Sequence, residues 1–142
     1  MPAVQPRPEQ LQQFMQKKPE GPLYMLNLLK FREQAEYADG RKTDLSGEQA
    51  YMIYGAAVTK IIEGFGGGLV FGGRANVLLI GDGELEWDSV AIMRYPSFEA
   101  FQGMTQSEAY AEIHVHRDAG LEHQLLVNCL DAEQTLAALS QA

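Results

Sequence analysis

The reading of the fold turns on residues 46–73, SGEQAYMIYGAAVTKIIEGFGGGLVFGG. Ser46 followed by Gln49 has the spacing of a capping box, in which two residues exchange side-chain and backbone hydrogen bonds at a helix start. Ala50, Ile53, Tyr54, Ala57, Val58, Ile61, Ile62 and Phe65 then recur at three- and four-residue steps, which is one apolar stripe of an α-helix. Gly66-Gly67-Gly68 ends that helix, because glycine adopts the left-handed conformation of a helix stop without steric cost. Leu69 to Ile80 follows as an apolar strand, interrupted at Gly72-Gly73.

Working outward, Leu23 to Phe31 is nearly all apolar and does not alternate, which predicts a first strand buried on both faces. Arg32 to Leu45 is polar with a turn signal at Asp39-Gly40, and predicts a long surface loop of the kind that serves as a lid or stays mobile. Ahead of it, Leu11, Phe14 and Met15 predict a short amphipathic helix over Pro8 to Lys17, stopped by Pro19, Gly21 and Pro22. On the other side, an acidic, glycine-rich turn (residues 81–84) joins Leu69–Ile80 to a third strand, Trp87 to Tyr95, as a hairpin. Ser97 caps a helix carrying Phe98 and Phe101, which breaks near Gly103 to Thr105. Ser107 caps its continuation, with Tyr110, Ile113, His114, Arg117 and Leu121. Gln124 to Leu130 is the fourth strand, and Ala132 to Leu139 a final small helix.

Strand, helix, strand, strand, helix, strand is the split βαβ order of an α+β, ferredoxin-like βαββαβ domain with a four-stranded antiparallel sheet. The expected organisation is an N-terminal helical extension (1–21), the ferredoxin-like domain (22–131) and a C-terminal helical tail (132–142). Both main helices cover one face of the sheet. Strands one, two and four (Leu23 to Leu29, Val77 to Ile80, Leu125 to Val127) nevertheless place apolar residues on both faces, so a homodimer through the open sheet face is expected.

A formal charge of −8, without a Lys/Arg run, argues against nucleic acid or anionic membranes as partners. Cys129 is the only cysteine, which rules out an intrachain disulfide and a cysteine-rich metal site. The longest apolar stretch, Leu23 to Leu29, is far short of the ~20 residues that cross a bilayer. Met1 to Gln10 is polar and proline-rich, unlike a signal peptide, and a cytoplasmic location is the expectation.

From Tyr24 to Leu130 the chain resembles domain-of-unknown-function family 1330, a branch of the dimeric α+β barrel superfamily. The residues that carry the resemblance are Tyr54, Val58, Ile61 and the run Phe65 to Gly73, then Arg94-Tyr95-Pro96-Ser97, Ser107-Glu108-Ala109-Tyr110 and Arg117. Phe71 stands where the family often has arginine, and Met104 and Thr105 replace an aromatic pair. The resemblance implies the fold and dimerisation; it implies no agreed reaction and no cofactor.

The glycine runs fit neither G-x-G-x-x-G nor a P-loop, and helix termination and close strand packing explain them. His114 and His116 point about 200° apart on a helix, so they cannot share a metal, and no metal site is expected. Tyr110, His114 and Arg117 lie on or near one helical face, with Asp118 one turn beyond His114. An aspartate there can hold the imidazole tautomer, leaving His114 as a general base and Tyr110 and Arg117 as donors to an anion. The same residues also read as an ordinary packing and surface network. Asn27 is the polar exception in the first strand; it sets register or lines a pocket. Arg94 either faces a cavity with Asn27 and Tyr54, clamping a carboxylate or enolate, or is a solvated strand residue.

Three functional classes follow. The first is a cofactor-independent enzyme acting on a small apolar or aromatic molecule, anionic ones included. By analogy with relatives in the wider barrel superfamily it is monooxygenase- or isomerase-like, with His114 and Tyr110 catalytic and Asn27, Tyr54, Arg94 and Arg117 binding substrate. The others are a non-catalytic small-molecule binding or sensing module, and a structural dimeric accessory protein.

Overall fold

Ser46 starts the long helix as its spacing requires: Gln49 N donates to Ser46 Oγ at 3.1 Å, and Ser46 N donates to Gln49 Oε1 at 2.8 Å. The computed structural model describes residues 4–140. Its elements are α1 (Pro8–Lys17), β1 (Leu23–Phe31), α2 (Gly47–Gly64), β2 (Gly68–Arg74), β3 (Ser89–Tyr95), α3 (Phe98–Thr105), α4 (Glu108–Gly120), β4 (Leu121–Cys129) and α5 (Ala132–Ser140). The strands form one antiparallel sheet in the order β2-β3-β1-β4, the ferredoxin-like arrangement.

Ala50, Tyr54, Val58 and Ile62 form the buried stripe of α2, one residue per turn. Tyr54, Val58 and Ile62 meet Leu23 and Met25 of β1, Met93 and Tyr95 of β3, and Phe98 and Met104 in one core cluster, while Ala50 packs with Ala35, Tyr37 and Ala119 in a second. Burying a side chain the size of Ile62 stabilises the fold by about 1.5–3 kcal/mol. Gly66, at φ +88°, closes the helix in a conformation that a side chain would strain. Ser97 and Ser107 cap α3 and α4, accepting from Ala100 N at 3.0 Å and Tyr110 N at 3.2 Å, and the break falls at Gln106. α1 lies on this layer through Phe14, whose ring sits edge-on to Phe98 at 5.5 Å and to Phe101 at 5.8 Å.

α2 and α4 approach so closely that only glycine fits between them. A Cβ on Gly120 would stand 2.4 Å from the Gly47 carbonyl oxygen and 2.8 Å from Tyr51 N. The loop over residues 32–46 is held against this junction. Glu36 N donates to the Ala119 carbonyl at 3.0 Å, and Tyr37 Oη lies 2.8 Å from His116 Nδ1. Ala35 and Tyr37 are buried there.

The hairpin departs from the sequence expectation. β2 ends at Arg74 instead of Ile80, and β3 begins at Ser89 instead of Trp87. Arg74 reaches across to Glu48 at 3.0 Å, and beyond it the ladder adds only Ala75 N to the Asp88 carbonyl. Val77, Leu79 and Ile80 stand 71%, 88% and 88% exposed. β-propensity reflects packing on a half-buried surface, and this chain offers those side chains no such surface.

Strand alternation sorts the two faces. Leu23, Met25, Asn27 and Leu29 point to the helices; Tyr24, Leu26 and Leu28 point away, beside Val90, Ile92 and Arg94 of β3 and Leu125, Val127 and Cys129 of β4. Both-face burial of β1 therefore does not hold within one chain. No helix is long and apolar enough to cross a membrane among the described residues.

Candidate functional site

A cavity of about 910 Å³ lies between the helix-side face of the sheet and α2 and α4. Its walls are mostly apolar: Met25, Leu29 and Met93 from the sheet, Val58 and Ile62 from α2, Phe101 and Met104 from α3. That size and lining suit a small organic molecule.

The polar groups gather at one pole. Position 27 faces the helices by strand parity; its direct partner across the β1–β4 ladder is Leu126, and Gln124, opposite Leu29, is its diagonal neighbour on the same face. Gln124 Nε2 donates to Asn27 Oδ1 at 2.7 Å, while Arg117 Nη2 donates to Gln124 Oε1 at 2.7 Å. Asn27 Nδ2 in turn donates to the Met25 and Ala91 carbonyls, both at 3.2 Å. The half-buried amide is thus satisfied on both ends.

One helical turn apart on α4, His114 Nδ1 lies 3.0 Å from Asp118 Oδ2, and Arg117 Nη1 donates to Asp118 Oδ1 at 2.9 Å. Arg117 is only 11% exposed, so its charge needs the carboxylate beside it. With Nδ1 engaged by Asp118, His114 is fixed in orientation, and Nε2 is the nitrogen free for chemistry.

Three tyrosines continue from His114 at this pole. Tyr51 and Tyr54 stack tilted at 5.3 Å, Tyr54 meets Tyr110 edge-on at 6.1 Å, and Tyr110 meets the His114 ring at 5.4 Å. Tyr54 Oη donates to Tyr110 Oη at 3.3 Å, which leaves the Tyr110 hydroxyl proton available. Burial pushes the Tyr51 phenol up to about 12, against the opposing pull of the Arg117 charge. Burial also raises Tyr54 far above the ordinary phenol value, reinforced by Tyr110 and Tyr51. These phenols are neutral hydrogen-bond donors at neutral pH, not bases.

Of the residues singled out from sequence, Asn27, Tyr54, Tyr110, His114 and Arg117 line this one cavity. Arg94 does not join them. It pairs with Tyr24 in register, between Met93 and Tyr95 whose side chains fill the core, so it projects from the opposite face. The residues 32–46 loop contributes no lining residue among those described. Sequence reasoning missed Gln124, Tyr51 and Gln5, all of which line the cavity. Gln124 could have been found as a polar residue in an apolar strand, on the pattern that exposed Asn27. Among the described residues no group of three His, Cys, Asp or Glu side chains could hold a metal.

The family model for a domain of unknown function, DUF1330, matches residues 37–128. The structure of RPA0582, a protein of unknown function from Rhodopseudomonas palustris, is 35% identical with a TM-score of 0.80; the match covers 91% of this chain and 96% of that one. The methylated RPA0582 protein aligns with 38% identity and the same TM-score, covering 90% and 93%. At3g17210 from Arabidopsis thaliana is 16% identical, with a TM-score of 0.50 over 78% of this chain and 95% of that one, a likeness of fold alone. No curated protein matches the chain.

Proposed function

The chain belongs to the DUF1330 family, which brings a fold and no reaction, and from the chemistry of its cavity we propose a cofactor-independent, proton-abstracting enzyme. Its substrate is a small, largely apolar or aromatic molecule with one weakly acidic proton. The observation that carries the reading is the 3.0 Å contact between Asp118 and His114, whose side chain lines a mostly apolar cavity with its phenols and amides gathered near this pole.

In this reading His114 Nε2 takes a proton from the bound molecule, and the Asp118 carboxylate stabilises the imidazolium formed. The electron pair left behind moves to an oxygen of the substrate, producing an enolate or phenolate. The Tyr110 hydroxyl donates to that oxygen, and Arg117 supplies positive potential from behind. Tyr54 orients Tyr110, and Asn27 orients Arg117 through Gln124. Returning the proton to another atom is isomerase-like chemistry; addition of dioxygen at the carbanion, with the resulting hydroperoxide breaking its O–O bond and losing water to leave a carbonyl, is monooxygenase-like.

The test is deuterium exchange at the α-carbon of enolisable aromatic ketones in D₂O, followed by NMR. The wild-type protein accelerates exchange, and His114→Ala loses the acceleration while keeping its far-ultraviolet dichroism. Exchange at the wild-type rate in His114→Ala would overturn the base assignment. Saturable binding without exchange would favour a binding or sensing module instead.

The same reading includes a cytoplasmic homodimer through the open sheet face. Its support is the row Leu26, Leu28, Ile92, Leu125 and Val127, together with the exposed Val77, Leu79 and Ile80.

A further inference from the structure

We propose that Gln5 is a positioning residue, and that residues 4–6 form a strap over the His114 end of the cavity; this rests on reading the cavity as a ligand site. Gln5 and Pro6 both line the cavity, although they are more than a hundred residues from α4 in sequence. Each polar contact of the strap falls on a group that sets His114 in place. Gln5 Nε2 donates to Asp118 Oδ1 at 3.1 Å, and Arg117 Nη2 donates to the Val4 carbonyl.

Asp118 therefore divides its oxygens. Oδ1 accepts from Gln5 and from Arg117 Nη1, while Oδ2 is left for His114 Nδ1. Two donors on one oxygen fix the rotation of the carboxylate, and with it the plane of the imidazole. Without the Gln5 donor the carboxylate turns more freely towards Arg117, and His114 loses its fixed orientation.

The strap is built to open at one end. Pro6 and Pro8 restrict the backbone leading into α1, and α1 is anchored by Phe14 between Phe98 and Phe101. The far end is held by the Gln5 and Val4 contacts, and the Gln5 contact is exposed to solvent. Two bonds, one exposed and one part-buried, are few enough for the segment to open locally without unfolding the core. Release uncovers the polar pole for ligand entry, and closure restores the Asp118 geometry.

The experiment compares full-length wild type, Gln5→Ala and Gln5→Glu by acylation with diethyl pyrocarbonate. Peptide mass spectrometry reads His114, with His116 and His123 as internal controls. His114 is expected to react about three- to tenfold faster in Gln5→Ala, the range for losing one modest hydrogen bond and the contact it supports. Gln5→Glu sets a carboxylate against Asp118 and is expected to exceed Gln5→Ala, with His116 and His123 unchanged in both. Unchanged His114 reactivity in Gln5→Glu would overturn the strap, and so would a parallel rise at all three histidines, which reports general loosening. The readout uses no substrate. Failure of every ligand to bind or exchange counts against the proposed enzyme alone, and an unchanged His114 counts against the strap alone.

Discussion

Replacing either of two helical glycines by alanine is expected to change stability in opposite directions. Gly55 sits mid-helix in α2, and a Cβ there meets nothing within 4 Å. Alanine in a helix interior is favoured over glycine by about 0.8–1.0 kcal/mol, so Gly55→Ala is expected to stabilise by nearly that much. Gly120 is the last residue of α4, where the propensity gain is smaller. Its new Cβ would stand 2.4 Å from the Gly47 carbonyl oxygen, 2.8 Å from Tyr51 N and 3.1 Å from Tyr51 Cβ. Two of these are backbone atoms that no rotamer change can move, so α4 must shift away from α2. Overpacking of this kind costs about 1–3 kcal/mol, and a net loss of about 2 kcal/mol is expected. Near 2–4 °C per kcal/mol, Gly120→Ala should lower the melting temperature by roughly 4–8 °C, and Gly55→Ala should raise it by roughly 2–4 °C. Because α4 carries His114 and Arg117, Gly120→Ala should also accelerate acylation of His114. Thermal unfolding by circular dichroism is the assay. Equal shifts of the same sign would refute the close-approach argument.

Three further outcomes follow from the geometry. Tyr51, Tyr54 and Tyr95 all have phenols raised by burial above the ordinary value near 10, so the folded state holds their protons more tightly than the unfolded state. Their contribution is complete below about pH 10 and is lost as pH rises through about 12 for Tyr51; urea unfolding between pH 8 and 11 should show stability falling above pH 10, less steeply in Tyr51→Phe. Gln124→Leu strands Asn27 Oδ1 and one Arg117 donor, and should destabilise by about 1–3 kcal/mol, while adding Asn27→Leu should cost less than the sum of the two single changes. Denaturant melts of the four proteins in that cycle decide it, and strict additivity would deny the relay. Leu26→Asp, on the open sheet face, should leave the chain monomeric by light scattering with its α-helical dichroism intact; a wild-type protein that is itself monomeric at micromolar concentration would remove the sheet-face dimer.

Most of the fold was legible in local chemistry. The Ser46, Ser97 and Ser107 caps, the α2 stripe and the glycine stop at Gly66 are written in short-range patterns, which act whatever the rest of the chain does. Their order along the chain then leaves few topologies, and the four-stranded antiparallel sheet is the one found. His114 and Asp118 were also a local pattern, since a four-residue step puts two side chains on one helical face.

What the tertiary structure decided is everything that depends on which face a strand presents and on what lies opposite it. Arg94 and Asn27 both sit in apolar strands, and only the β1–β3 register with the position of the helices sends one to the cavity and the other to the open face. Val77 to Ile80 have strand-forming side chains, yet pairing needs a neighbour, and the sheet ends at Arg74. Gln124, Gln5 and Arg117 become one network only when β4, the N-terminal segment and α4 meet. Caps and stripes are set by neighbours within about four residues; a site is set by contacts between residues whose separation in sequence carries no local signal.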